Sequence, residues 1–164
     1  MIIKFARIDD RLIHGQVTTV WAKEAKAERI IICSDDVAKD EIRRTLLKQA
    51  APPGIKVNVC DIEKAVRVYN NPIYQNETVF YLFTKPADVL RMVEKGVPIK
   101  SINIGGMAFS KGKVQITKAV SVDAEDVAAF KRLYELGVKL DLRVVNSDPQ
   151  TDFMAKIKDI SFSK

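Results

Sequence analysis

The chain has 164 residues, 47% of them hydrophobic and 29% charged, with 27 Lys and Arg against 21 Asp and Glu for a net charge of +6. That length suits one compact domain and leaves no room for a second of full size, and the composition excludes fibrous, low-complexity and disordered classes. No apolar run approaches the roughly 20 residues that cross a bilayer, and MIIKFARIDD meets an acidic pair too early for a secretory signal.

In chain order, IIKFARI (residues 2–8) reads as a first strand, followed by the loop DDRLIHG. Val17, Val20, Trp21 and Ala25 then recur at the three-and-four spacing of one helical face. RIIIC (29–33) is a nearly unbroken apolar strand of the kind buried on both faces of a parallel sheet. A second helix carries Ile42, Leu46, Leu47 and Ala50 before Pro52-Pro53-Gly54 stops it. IKVNVC (55–60) is the third strand, and Asp61 is placed to cap a helix with Ile62, Ala65, Val66 and Tyr69 inward. TVFYLF (78–83) is the fourth strand. Pro86 opens the next helix, with Val89, Leu90 and Val93 inward and Gly96 at its end.

IKSINIGG (99–106) reads as a fifth strand that leaves through the only Gly-Gly of the chain. Past it, a short strand is expected at 114–117 behind a turn at Lys111-Gly112. A long helix at about 123–136 places Val127, Phe130, Leu133 and Tyr134 on one side. LDLRVVN (140–146) closes the sheet, and the tail SDPQTDFMAKIKDISFSK adds a short helix. Strands alternating with helices predict an α/β fold, a single domain over residues 1–164 with an open, mostly parallel sheet and helices on both faces.

Cys33 and Cys60 end apolar strands and read as buried, reduced thiols of a cytosolic protein. Two thiols and a single histidine make no all-protein Cys/His zinc site, so no metal is expected. The positive balance favours anionic partners. Its charges are scattered, however, without the dense basic or aromatic-interleaved stretch of a nucleic-acid binder, so nucleic acid is not expected as a partner.

Ligands of such sheets bind at the carboxyl ends of the strands. That rule gathers the loops Asp9–Gly15, Ser34–Asp36, Thr84–Lys85, Gly105–Lys113 and Asn146–Asp148 into one candidate site. The chain's only histidine, His14, lies in the first of them. Arg11, three residues earlier, can aim its planar fork of donors at oxygens on the imidazole. Gly15, Gln16 and Val17 open a helix whose free N–H groups favour an anion. Arg7, at the end of the first strand, adds a second cation.

Asp9 and Asp10 repel a phosphoryl group and read better as braces of the loop or its arginines. One of them orienting the imidazole is the other reading. The residues by themselves leave a second account open for each feature: His14 as a satisfied loop side chain, the arginines as surface charge, Gly105-Gly106 as a tight strand exit, and Leu12 and Ile13 either as inward anchors or as the dry centre of a docking patch.

RIDDRLIHGQV, followed by INIGGM, GKVQITKAV and VDAEDVAAFKRLYELGV, closely resembles the IIB component of the mannose/sorbose family of the bacterial sugar phosphotransferase system, over nearly the whole chain. The resemblance implies a phosphoryl carrier without a cofactor. Its histidine, matching His14, takes a phosphoryl group from a phosphorylated IIA protein, on Nδ1, and passes it to a sugar entering through membrane IIC and IID subunits. It implies that the arginine matching Arg11 binds the phosphoryl oxygens with Arg7 in support. It also implies a cytoplasmic protein peripherally associated with the inner face of the membrane. Since the chain starts at its first strand, IIA is expected as a separate protein.

An unmodified basic α/β module that binds a phosphorylated ligand or nucleic acid is the alternative. A histidine phosphatase or mutase fits less well, because that class places Arg directly before His-Gly and needs a second histidine, whereas here Ile13 precedes His14.

Overall fold

The apolar runs pair in parallel. A computed structural model describes residues 1–160 and 162. Strands β1 (Ile2–Asp9), β2 (Arg29–Cys33), β3 (Lys56–Cys60), β4 (Thr78–Phe83), β5 (Ser101–Gly106) and β8 (Lys139–Leu142) form, among the described residues, a six-stranded sheet in the order β3-β2-β4-β1-β5-β8. Every pairing in it is parallel. The two-residue strands β6 (Val114–Gln115) and β7 (Ser121–Val122) make a separate antiparallel ribbon.

The period of two along β4 divides the core. Val79, Tyr81 and Phe83 face one apolar layer, and Phe80 and Leu82 face the other. Helices α4 (Ile62–Asn70), α5 (Pro86–Glu94), α6 (Ala124–Glu135) and α7 (Phe153–Ile157) cover the first layer with Ile62, Val89, Phe130 and Phe153. The second is covered by α1 (Gly15–Ala25), α2 (Asp35–Lys39) and α3 (Glu41–Gln49), through Trp21, Val37 and Leu47. The connection leaving β1 therefore runs over the opposite face from the one leaving its neighbour β4, and such a divergence opens a crevice at the strands' carboxyl ends.

Local chemistry sets most boundaries. Asp61 caps α4 by accepting the Lys64 N–H at 2.7 Å, and Pro86 occupies the first turn of α5, where its missing N–H costs nothing. Gly96 and Gly137, just past α5 and α6, have φ of +94° and +86°, the left-handed region in which a Cβ is strained. Cys33 and Cys60 are buried, unpaired thiols that face each other across β2 and β3.

Three expectations are corrected, on the second helix, on Val20 and Tyr134, and on the last strand. The second helix is two, because Asp40 ends α2 and caps α3 by accepting the Arg43 N–H at 3.0 Å. Along α3, Ile42 and Leu46 face solvent at 75% and 59% exposure while Leu47 is buried. Val20 and Tyr134 are likewise exposed. The sheet's last strand stops at Leu142 rather than at residue 146. The reason lies in the site: the carbonyls of Arg143 and Val144 accept hydrogen bonds from the Arg7 side chain. The short helix expected in the tail is α7, Phe153–Ile157, and Ser161, Ser163 and Lys164 lie outside the described residues.

One buried charge stands apart from the strand ends' main network. Asp88, in the first turn of α5, is 2% exposed. Its Oδ1 is 3.6 Å from Arg91, and its Oδ2 has no hydrogen-bond partner among the described residues. Burial pushes its carboxyl up to about 6 against the pull of Lys85 and Arg91. A carboxyl that ionises less readily folded than unfolded favours the fold while protonated and penalises it as pH rises through its folded value. Asp88→Asn is therefore expected to be more stable to urea than the parent at about pH 7.5, by on the order of 1–2 kcal/mol. That advantage should shrink as pH falls below about 6 and vanish near about pH 3.

Candidate functional site

β1 runs from a half-exposed start into a fully buried end, so its last residues, Arg7 and Asp9, carry opposite charges into the interior at 2% and 0% exposure. Burying either alone costs several kcal/mol, and the structure answers with pairing and hydrogen bonds. Asp9 Oδ2 accepts from Arg7 Nη2 at 2.9 Å, from Arg11 Nη2 at 3.1 Å and from His14 Nε2 at 3.0 Å. Its Oδ1 accepts from the Arg11 backbone N–H at 3.1 Å and from Arg11 Nε at 3.0 Å. Burial alone would raise this carboxyl, but the hydrogen bonds from Arg11 and His14 and the charges of Arg7 and Arg11 outweigh it and hold it below the ordinary aspartate value.

An ionised carboxylate only accepts, so the His14 nitrogen facing Asp9 carries the proton. In the neutral ring Nε2 is thereby the N–H, and the lone pair is on Nδ1. The imidazole keeps 23% of its surface exposed and Arg11 keeps 50%. Both stand at the mouth of the site above a buried base.

The loop between them is fixed by two left-handed residues, Leu12 at φ +60° and Gly15 at φ +50°. Leu12 is held in that unfavourable conformation because its side chain is 1% exposed in the second core layer and its N–H reaches the Asp9 carbonyl at 2.9 Å. Thr18 Oγ1 donates to the Leu12 carbonyl and accepts the His14 N–H, each at 3.3 Å. His14 is the N-cap of α1 but its side chain does not cap it, and the first turn holds no acidic residue. The free N–H groups at Gly15 and Gln16, both exposed, thus present the positive end of the helix beside the imidazole.

Other loops are drawn in unequally. Asp10 Oδ2 accepts the Ala108 N–H at 2.6 Å and the Asp10 N–H reaches the Gly106 carbonyl at 3.1 Å, so the loop after β5 is tied to the His14 loop. Val144 joins through Arg7 and through Trp21 Nε1, which donates to its carbonyl at 3.3 Å. Asp35 turns elsewhere, to the Ile62 N–H and Arg91.

One feature differs from the sequence reading, and one open alternative is decided. Arg7 is not an open cation: its guanidinium donates to Asn103 Oδ1 at 2.6 Å, Arg143 O at 3.2 Å, Val144 O at 2.9 Å and Asp9, and lies over the Trp21 ring at 5.4 Å. Leu12 is an inward anchor, with Ile13 partly buried against the same layer. Asn103 and Thr18 went unnoticed in the sequence because a lone amide in a strand and a threonine in a helix carry no pattern. An arginine two residues before an aspartate, on one face at the end of an apolar strand, was the available clue.

The sequence matches the family model "PTS system sorbose subfamily IIB component" over residues 3–164. It is 66% identical over 160 residues to the sorbose-specific EIIB component of Lacticaseibacillus casei, covering 98% of both chains. It is 55% identical to the mannose-specific EIIAB component of Escherichia coli strain K12, covering 98% of this chain and 50% of that one. The crystal structure of the IIBSor domain of the sorbose permease from Klebsiella pneumoniae superposes with a TM-score of 0.96 at 66% identity, covering 99% of this chain and all of that one.

Asp9→Ala leaves Arg7 buried without its counter-charge and is expected to lower stability to urea by about 3–5 kcal/mol at neutral pH. Because the Asp9 carboxyl is held below its ordinary value, its share of stability is full above that value of 3.8 and lost as pH falls through the depressed one. The gap between parent and variant should therefore narrow in acid, which urea titrations across the acid range will read.

Proposed function

From the premise that the chain belongs to the sorbose subfamily of phosphotransferase-system IIB components, which are phosphoryl carriers in sugar uptake, we propose that His14 is the residue that carries the phosphoryl group. The observation that supports it most directly is the Asp9–Nε2 hydrogen bond beside the uncapped start of α1. One ring nitrogen is occupied, and the other is left with its lone pair next to free N–H donors.

In this reading the Nδ1 lone pair attacks the phosphorus of a phosphohistidine on a IIA protein. The new N–P bond forms as the donor's N–P bond breaks, and the electron pair of that bond stays on the donor imidazole. The second step reverses the role of His14: a sugar hydroxyl oxygen attacks phosphorus, the O–P bond forms as the Nδ1–P bond breaks, the electron pair of that bond returns to Nδ1, and the hydroxyl proton passes to water. Neither step needs a nucleotide or cofactor, since the phosphoryl group arrives on a protein. What the protein supplies is position and neutralisation of three oxygens. Exposed Gly15 and Gln16 lend backbone N–H groups. Arg11, half-exposed, is the guanidinium placed to turn from Asp9 toward the phosphoryl oxygens, while Arg7 works from beneath through Asp9.

The partners in this reading are a phosphorylated IIA protein, the sugar, and membrane IIC and IID subunits that bring the carrier to the inner face of the membrane from the cytoplasm. The mannose-specific EIIAB relative, which is named for both parts, supports the pairing with IIA. Among the described residues no helix is long and apolar enough to cross a membrane. The 66% identity to a sorbose-specific component supports sorbose as the first sugar to test. The unmodified basic module is not favoured, because family membership accounts for the same arginines and helix start without it.

Incubation with phosphorylated IIA protein is expected to add one acid-labile phosphoryl group, read by intact mass, and His14→Ala is expected to take none. Arg11→Ala should slow the labelling by about 10-fold or more. Labelling of the alanine variant at the parent's rate would show that the phosphoryl group sits elsewhere.

A further inference from the structure

The base of the site contains a gap in the shape of a missing side chain. On β5, Gly105 lies under the Arg7 guanidinium: a Cβ built on Gly105 would stand 2.1 Å from Arg7 Cζ, 2.1 Å from Nη2 and 2.4 Å from Nη1. Real carbon atoms do not approach so closely, and the guanidinium has little freedom to give way. It is pinned by Asn103 Oδ1, Asp9 Oδ2 and the carbonyls of Arg143 and Val144, at 2.6–3.2 Å, with Trp21 against it. The next residue repeats the device more gently, for a Cβ on Gly106 would come 2.8 Å from Asp9 Oδ1 and 3.1 Å from Arg11 Nη2. Neither glycine has a positive φ. Their lack of a side chain therefore serves close approach and not backbone conformation.

The contacts run in one direction from that gap to the reacting ring. Gly105 makes room for Arg7. Asn103, two residues earlier on the same strand, receives Arg7 and is itself held, because its Nδ2 donates to the carbonyls of Asp141 and Arg143 at 3.2 Å each. Arg7 and His14 then share Asp9 Oδ2 at 2.9 and 3.0 Å. Displacing the guanidinium would take from Asp9 its buried counter-charge and one of the donors on Oδ2, leaving the carboxylate to half-exposed Arg11 and to His14, and the Asp9–Nε2 bond is what keeps the proton off Nδ1.

We propose that Gly105, with Asn103, is a positioning residue of the phosphoryl-transfer site: the space where its side chain would be seats Arg7, Arg7 fixes Asp9, and Asp9 holds His14 with Nε2 protonated and Nδ1 open. This rests on the carrier reading for its consequence, though not for its geometry. The chain of contacts is buried and reaches the ring from below, so it acts without touching the phosphoryl group.

The test combines a spectroscopic readout with a pair of substitutions. The ring nitrogens of 15N-labelled His14, the only histidine, report the tautomer directly. The parent is expected to show one neutral tautomer, with the proton on Nε2. Gly105→Ala should show a mixture of tautomers and accept phosphoryl from phosphorylated IIA about 10-fold more slowly or worse, as a displaced reacting group does. In an Arg7→Ala background the obstructed group is gone, so adding Gly105→Ala should change neither the ring spectrum nor the rate by more than about 2-fold.

A Gly105→Ala protein with the parent's tautomer and rate would overturn the proposal, as would losses from the two substitutions that multiply. If Gly105→Ala does not fold, Asn103→Ala, which adds no bulk, takes its place with the same ring readout: a mixture of tautomers supports the positioning chain, and the parent's tautomer and rate overturn it. Should the parent take no phosphoryl group at all, the carrier reading falls while the ring spectra of parent and variants still decide the positioning chain.

Discussion

A single buried carboxylate holds this molecule's site together. Asp9 has no exposed surface, yet it receives N–H groups from Arg7, His14 and Arg11, the last through backbone and side chain together. Such an arrangement is costly in parts and tolerable as a whole. An unpaired carboxylate or guanidinium in the interior is penalised by several kcal/mol, and only the complete set of hydrogen bonds offsets that penalty. The consequence is mutual dependence: the arginine below cannot be buried without the aspartate, and the imidazole above takes its orientation from the same oxygen.

The fold gives that carboxylate its place. β1 is central, with β4 on one side and β5 on the other, and the connections that leave β1 and β4 pass over opposite faces of the sheet. The pairing of β1 with β5 slips by one residue between Ile8 and Asp9, which sets Asp9 opposite Gly106. Two adjacent glycines on the neighbouring strand then accept the side chains that β1 turns toward them. Rigid strands carry the base of the site, and a short loop carries its tip. That division suits a group exchanged between proteins, because the reacting nitrogen must be reachable while its partner atoms stay still.

The loop stores a little strain to do so. Leu12 occupies a left-handed conformation that costs an L-residue about 1–2 kcal/mol. It persists because burial of the leucine side chain, together with the bonds from Leu12 N–H to Asp9 and from Thr18 to the Leu12 carbonyl, over-determines it. The apolar residue beside the histidine thus serves as an anchor for the turn that lifts the imidazole to the surface.

Much was written locally. Strands at 29–33 and 78–83, the cap at Asp61, the helix start at Pro86, the stops at Gly96 and Gly137 and the alternating α/β pattern follow from side-chain period, capping chemistry and turn preference, each acting within a few residues. The motif RIDDRLIHGQV likewise announced its histidine, its arginines and a helix start. Other features depended on partners distant in the chain. Whether Asp9 braces or orients was undecidable from spacing, and the structure shows one carboxylate touching all three groups. Arg7 looked like a second phosphate ligand until Asn103, 96 positions away, and the carbonyls of Arg143 and Val144 enclosed it. Those same bonds ended the last strand early, and the cap at Asp40 split the second helix in two. Sequence by itself determined the elements, the family likeness and the candidate ring, because those rest on short-range pattern. Tertiary structure alone decided which donors remain free, because a buried hydrogen bond is set by whatever the fold brings within about 3 Å.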